Sequence, residues 1–299
     1  MTVDLSAAAD FLASSARVLD RRRFDLLAGE GDAAAVLAAV DGYRDPDGGY
    51  GGGLEPDLRS RTSQPGGALH AFEAFADAAP VTTSRAVELC DWLATVTLRD
   101  GGLPFALPVP DPAACAPFWA SADGTESSLQ ITAVVAAAAH RVAAADPAVA
   151  AHPWLAQATA YCLGAVRDLG PDPHAMVLAF AAQALDAASA ATPEAAELID
   201  ALRRHVPADG LLHVAGGADD EYMRPLDFAP FPGGPARTLF EPAVVERELQ
   251  RLADAQQPDG GWAVDFASYS PAATLEWRGL RTVSALIVLR ANGMLENPG

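Results

Sequence analysis

The chain has 299 residues, 51% of them hydrophobic, and a formal net charge of −19. That length allows a large buried core, while the acidic balance argues against nucleic acid, because neutralising phosphates needs clustered Lys and Arg. Cys90, Cys115 and Cys162 are too few and too scattered for a disulfide framework. The start Met1-Thr2-Val3-Asp4 has no leader layout, and no apolar run reaches the roughly 18 residues of a membrane span. The expected setting is cytoplasmic, with free thiols and no transmembrane segment.

Apolar residues recur at helical spacing in about eleven segments. In chain order the clearest are 5–28 (one helix or two), 32–43, 66–78, 82–98, 127–144, 153–168, 172–187, 193–206, 240–256 and 278–293. No long stretch alternates as a strand would, so the expected class is all-α. Short connections such as Ala79-Pro80-Val81 and Ala191-Thr192-Pro193 suit antiparallel helix hairpins. Four long ones, 44–65, 99–126, 207–239 and 257–277, are rich in Gly, Pro and Asp. Loops beyond about 12–15 residues are uncommon and often functional.

Each long connection begins at a repeated motif. Ala255-Gln256-Gln257-Pro258-Asp259-Gly260-Gly261-Trp262 is its fullest form, and Asp47-Gly48-Gly49-Tyr50, Asp100-Gly101-Gly102-Leu103 and Asp209-Gly210-Leu211-Leu212 are weaker copies. The four aspartates stand 53, 109 and 50 residues apart, so one unit of roughly 53 residues repeats, with one copy degenerate. A helix is due near residue 225 on this spacing, but Pro225, Pro230, Pro232 and Pro235 fall there. That helix should be missing or very short. Six hairpins fill the chain as a single α/α toroid over 1–299, an incomplete α6/α6 barrel. Its long loops would gather at one end, and the N-terminal helices would close the ring.

The frame Leu252-x3-Gln256-x3-Gly260-x-Trp262 resembles the QW repeat of squalene–hopene cyclases. It recurs as Trp92-Leu93-x3-Thr97-x3-Gly101-x-Leu103 and as Val40-x3-Arg44-x3-Gly48-x-Tyr50. The chain is thus similar to the toroid superfamily of terpenoid cyclases and protein prenyltransferase β subunits. The resemblance implies an apolar lumen that takes an isoprenoid. It does not carry over the catalytic residues: the cyclase D-x-D-D run is absent, as is the Asp, Cys and His set that binds prenyltransferase zinc.

Candidate site residues come from the long loops and the helix starts they feed. Asp57, in Glu55-Pro56-Asp57-Leu58-Arg59-Ser60-Arg61, places a carboxylate beside two guanidiniums; Glu126 follows Asp123-Gly124-Thr125 at an expected helix start, with Gln130 one turn on. Asp227 lies where the expected helix fails. These three are the candidate acids, each with a bland alternative as an ion pair, a cap or a structural acceptor. Trp119, Trp277 and Tyr222, together with Phe105, Phe118, Phe228 and Phe231, offer aromatic faces for a carbocation or a sugar ring, or simply cover the rim. Arg59 and Arg278 are candidates to hold a diphosphate or carboxylate, and Asp265 and Glu276 flank Trp277. Ring closure would bring Asp57, Trp119, Glu126, Asp227 and Trp277 to one opening.

No cofactor motif is recognisable. His70, His140, His152, His174, His205 and His213 show no ligand spacing, which leaves a Mg2+ or Zn2+ site assembled across hairpins open. The leading expectation is a terpenoid-cyclase-like or prenyltransferase-like protein with a small-molecule ligand. The alternatives are a carbohydrate-active toroid, a glycoside hydrolase or lyase with paired carboxylates, and a non-catalytic scaffold with a filled lumen. Substrate and oligomeric state are not legible in the sequence.

Overall fold

The turn Asp259-Gly260-Gly261 and its copies set the geometry of the whole chain. Asp47, Asp100, Asp209 and Asp259 each accept a hydrogen bond from the backbone N–H two residues on, at 3.0–3.1 Å. The next glycine takes a φ between 75° and 95°, which lets the chain reverse in a tight hairpin. Three of these carboxylates also reach the approach to, or the body of, the next long helix. Asp47 accepts from Ser63 Oγ at 2.7 Å, Asp100 from Ser127 Oγ at 2.6 Å, and Asp259 from Arg278 at 2.8 Å. The repeated Asp therefore tethers one hairpin to the next.

The computed structural model describes residues 3–295; Met1, Thr2 and 296–299, part of the expected domain span, lie outside them. The structure is mostly helical. Helix α1 (Leu5–Ser15) is capped by Asp4 and separated from α2 (Val18–Ala28) by an extended break at Ala16 and Arg17. Then come α3 (Ala33–Val40), α4 (Pro65–Asp77) and α5 (Ser84–Val96). The long connection that follows carries a single turn, α6 (Pro117–Ala120), before α7 (Leu129–Ala143). Another turn, α8 (Pro147–Ala150), leads to α9 (Pro153–Arg167), α10 (Ala175–Ala188) and α11 (Glu194–Leu202). Two-residue strands β1 (Leu212–His213) and β2 (Tyr222–Met223) pair antiparallel in the next loop. The single turn α12 (Pro225–Phe228), then α13 (Pro242–Asp254) and α14 (Pro271–Ala291), complete the chain.

A continuous series of helix contacts runs along the chain and returns to its first helices. α3 rests on α4, α4 on α7, α7 on α10, α10 on α12, α12 on α13, α13 on α14, and α14 on α2. Alanines make the central contacts close: Ala133 and Ala137 of α7 meet Ala184 of α10 in one buried group. Two larger cores flank them. One gathers Tyr50, Phe72, Trp92 and Trp154; the other gathers Phe11, Leu12, Trp262 and Leu286. Gln256 joins the ends of the chain. Its amide donates to the Asp4 carbonyl and accepts from the Asp4 N–H, both at 2.8 Å.

Two helix starts that carry candidate residues differ from the sequence expectation, each for a local reason, and the short element near residue 225 agrees with it. α14 starts at Pro271 rather than 278, because Ser270 Oγ accepts from Ala273 N–H and proline suits the first helical position. Trp277 and Arg278 therefore sit in its second turn. α7 starts after its cap Ser128, which leaves Glu126 in the loop and exposed. Near residue 225 the helix is a single turn, as the prolines dictate.

A Cβ on Gly67 would lie 2.2 Å from the Tyr50 carbonyl oxygen, whereas one on Gly164, inside α9, would meet nothing within 4 Å. We expect Gly67→Ala to destabilise the protein by about 3 kcal/mol through overpacking against rigid backbone. Gly164→Ala should stabilise it by about 0.5–1 kcal/mol as a helix-interior replacement. Urea unfolding of the two variants checks both signs.

Candidate functional site

The loop ahead of α4 turns back on itself at Glu55–Leu58, where the Leu58 N–H donates to the Glu55 carbonyl at 3.0 Å. This turn presents Asp57, 4% exposed, to the far end of the chain. Asp57 Oδ2 accepts from Trp277 Nε1 at 2.7 Å, and Oδ1 accepts from the Tyr269 N–H at 3.2 Å and Ser268 Oγ at 3.4 Å. Both oxygens are occupied as acceptors, so Asp57 serves as an anchor between segments about 210 residues apart. Beside it Arg59 pairs with Glu276 at 2.5 Å.

The same turn directs Glu55 onto α4. His70 Nε2 lies 3.0 Å from Glu55 Oε2, and His70 Nδ1 lies 2.9 Å from Glu73 Oε2. Burial alone would lower the His70 pKa, but the two carboxylates outweigh it and hold the imidazole at about 9. Burial likewise opposes ionisation of Glu73, yet His70, with Arg23 and Arg141 further off, brings its carboxyl down to about 2. Glu55 and Glu73 thus flank an imidazolium at neutral pH. Glu73 keeps 22% of its side-chain surface accessible, whereas His70 keeps 5%. Along the sequence His70 is one of six dispersed histidines. Its i,i+3 spacing from Glu73 was a readable signal; its contact with Glu55 was not.

Aromatic rings surround this corner. Trp277 meets His70 edge-on at 6.0 Å and Phe266 at 5.1 Å. Trp119 stacks on Phe105 at 4.5 Å and touches Phe118, which meets Tyr269 at 5.5 Å. Phe118 and Tyr269 are 45% and 53% exposed. The structure therefore brings Asp57, Trp277 and Arg59 together and links Trp119 to them through Phe118 and Tyr269.

The remaining sequence candidates stand elsewhere. Glu126 is exposed and caps no helix. Tyr222 meets His213 across the short hairpin at 5.3 Å. Arg278 is spent on Asp259, with two contacts at 2.8 and 2.9 Å, and lies over the Phe11 ring; neither it nor Arg59 is a free anion holder. Phe228 is fully buried against Phe240, and Phe231 lies under Arg141 at 4.7 Å. The histidines other than His70 have structural partners. His152 and His174 cap α9 and α10, and His140, lowered to about 4 by burial, meets Thr159.

Asp227 forms a second centre. One carboxylate oxygen accepts from the Arg224 N–H at 2.8 Å, and its carbonyl accepts from Gln183 at 2.6 Å. Burial raises its pKa, opposed chiefly by the charge of Arg281 and aided by Asp265 and Glu248. Arg281 stands four residues beyond Trp277 on α14, on the same helix face. That face links the Asp57 corner to Asp227. Among the described residues no group of three or more His, Cys, Asp or Glu side chains is arranged to hold a metal ion, and no helix is long and apolar enough to cross a membrane. The chain matches no protein-family model and no curated protein sequence.

His70 carries a pH signature. Its folded pKa lies above the ordinary value near 6.5, so its contribution to stability is complete below that pH and is lost as pH rises through about 9. Denaturant midpoints followed from pH 6.5 to 9 should fall more steeply for the wild type than for His70→Gln. Parallel curves would refute the buried imidazolium.

Proposed function

We propose that the chain is an α/α toroid of the terpenoid-cyclase and prenyltransferase kind, that its interior binds a small ligand, and that Asp227 supplies the acid. The architecture rests on the 53-residue period and on the order of helix contacts that ends with α14 against α2. The acid rests on the setting of Asp227: it is half-buried, burial raises its pKa, and a single N–H donor engages its carboxylate. A carboxyl that holds its proton more tightly than usual is suited to give it to a ligand atom that becomes basic as the reaction proceeds. An alkene π pair or a bridging oxygen lone pair would take that proton, leaving an Asp227 carboxylate opposite Arg281.

The lining favours a ligand with a polar group. Glu73, Arg141, Gln183 and Arg281 are all partly accessible, and their partners come from neighbouring helices and loops: Arg23 and Arg141 act on Glu73, and Arg141 lies over Phe231. Bare hydrocarbon would leave these groups unsolvated. A prenyl diphosphate would offer its anionic group to the guanidiniums of Arg141 and Arg281 and its chain to the aromatic rings. A sugar ligand is the second reading, carried by the exposed rings of Phe118 and Tyr269, which suit stacking on a pyranose face.

Thermal shift with farnesyl diphosphate, geranylgeranyl diphosphate, squalene and an oligosaccharide series tests the reading. A prenyl diphosphate at 100 times its Kd should add about 2.7 kcal/mol of stability, and squalene should add none. A response to oligosaccharides alone would transfer the assignment to the second reading, and no response to any would leave a scaffold. With a responding ligand, Asp227→Asn should abolish conversion while keeping the thermal shift.

A further inference from the structure

The eight residues between Trp262 and α14, 263–270, cross the Asp57 corner as an irregular segment that bends at Asp265–Phe266 and at Tyr269–Ser270. Exposure alternates along them: Ala263, Asp265, Ala267 and Tyr269 are exposed, while Val264, Phe266 and Ser268 are half-buried. No backbone-to-backbone hydrogen bond involves residues 263–269. Their backbone is tied at one point, the Tyr269 N–H to Asp57 Oδ1 at 3.2 Å, with Ser268 Oγ alongside at 3.4 Å. The other ties are ring contacts, Phe266 on Trp277 and Tyr269 on Phe118. Every tie reaches the Asp57 loop, the Phe118 turn or the first turns of α14.

We propose that residues 263–270 are a strap over the mouth, that Asp57 is its latch, and that release of the latch opens the way to Glu73 and Asp227. The inference rests on the ligand-binding reading above for its purpose but not for its test. Beneath Phe266 lie Trp277, then His70, then the accessible edge of Glu73. The strap thus covers one continuous series of contacts that runs from its Phe266 ring to that acid. A segment without a backbone ladder opens at small free-energy cost once its few ties are cut. Asp57 holds two of them through Oδ1, the Tyr269 N–H and the Ser268 hydroxyl, while its Oδ2 is held by the indole of Trp277, on which Phe266 rests. The position thus demands acceptors on both sides, which a carboxylate supplies and a carboxamide does not.

Limited chymotrypsin digestion of the ligand-free full chain tests the latch, with cut sites read by mass spectrometry. Asp57→Asn turns an amide NH2 towards groups that are themselves donors, and cleavage after Phe266 should rise about tenfold or more over the wild type. A cooperatively folded Asp57→Asn protein cut at the wild-type rate overturns the proposal. Should Asp57→Asn fail to fold, the decision passes to Ser268→Ala and Tyr269→Ala, which alter side chains outside the core. Each should speed cleavage after Phe266, and unchanged rates in both overturn the latch. No ligand enters this experiment, so a failed ligand screen and a failed latch are separate results.

Discussion

A hairpin of two helices cannot bury both of its apolar faces alone, and in this chain one carboxylate per repeat fixes where the neighbour must stand. The Asp of each motif satisfies the N–H of its own turn, and three of the four also grip the approach to, or an early turn of, the next long helix. A turn and a register are thereby set by the same oxygens. Loss of such an Asp would leave a turn donor unpaired and the next helix free to slide, which is why the motif persists even where its Trp is replaced by Tyr50 or Leu103.

Closure of the chain follows the same logic with different groups. Gln256 meets the Asp4 backbone with both a donor and an acceptor, and the Ala7 carbonyl lies 2.0 Å from where a Cβ on Gly260 would stand. The last motif therefore receives α1 as earlier motifs receive their following helices. Arg17 adds a bond to the Leu54 carbonyl at 2.8 Å, and Arg23 pairs with Asp77 at 2.6 Å. α2 is in this way fixed to the loop and the helix that carry Glu55, Asp57, His70 and Glu73.

The charged groups near the site divide by how firmly their protons are held. His70 and Glu73 form a set whose ionisation is locked across the neutral range, since His70 titrates near 9 and Glu73 near 2. Such a set shapes an electrostatic field and a wall; it is poorly placed to exchange protons at neutral pH. Asp227 differs because burial outweighs the charge of Arg281 and the Arg224 N–H, so its pKa rises where that of Glu73 falls. Carboxylates displaced in opposite directions, Glu73 down and Asp227 up, have separate roles available to them.

The helices, their short connections, the one-turn failure near residue 225 and the repeat itself were legible in the sequence, because each depends on residues within one turn or one hairpin of each other. So was the special position of Asp57, Trp119 and Trp277, which sit where loops of one repeat meet helices of another. The site roles were not. Glu126 read as a helix opener until Ser128 took the cap, and Arg278 read as a free cation until its partner proved to be Asp259. Asp57 read as an acid, but its two oxygens are filled by donors from residues 268, 269 and 277. Local periodicity and turn chemistry are written along the chain, so the sequence alone determined the all-α class and its repeating unit. Which carboxyl is pushed towards holding its proton, and which is consumed as an anchor, depends on donors and burial contributed from as far as 220 residues away; only the tertiary structure decided that.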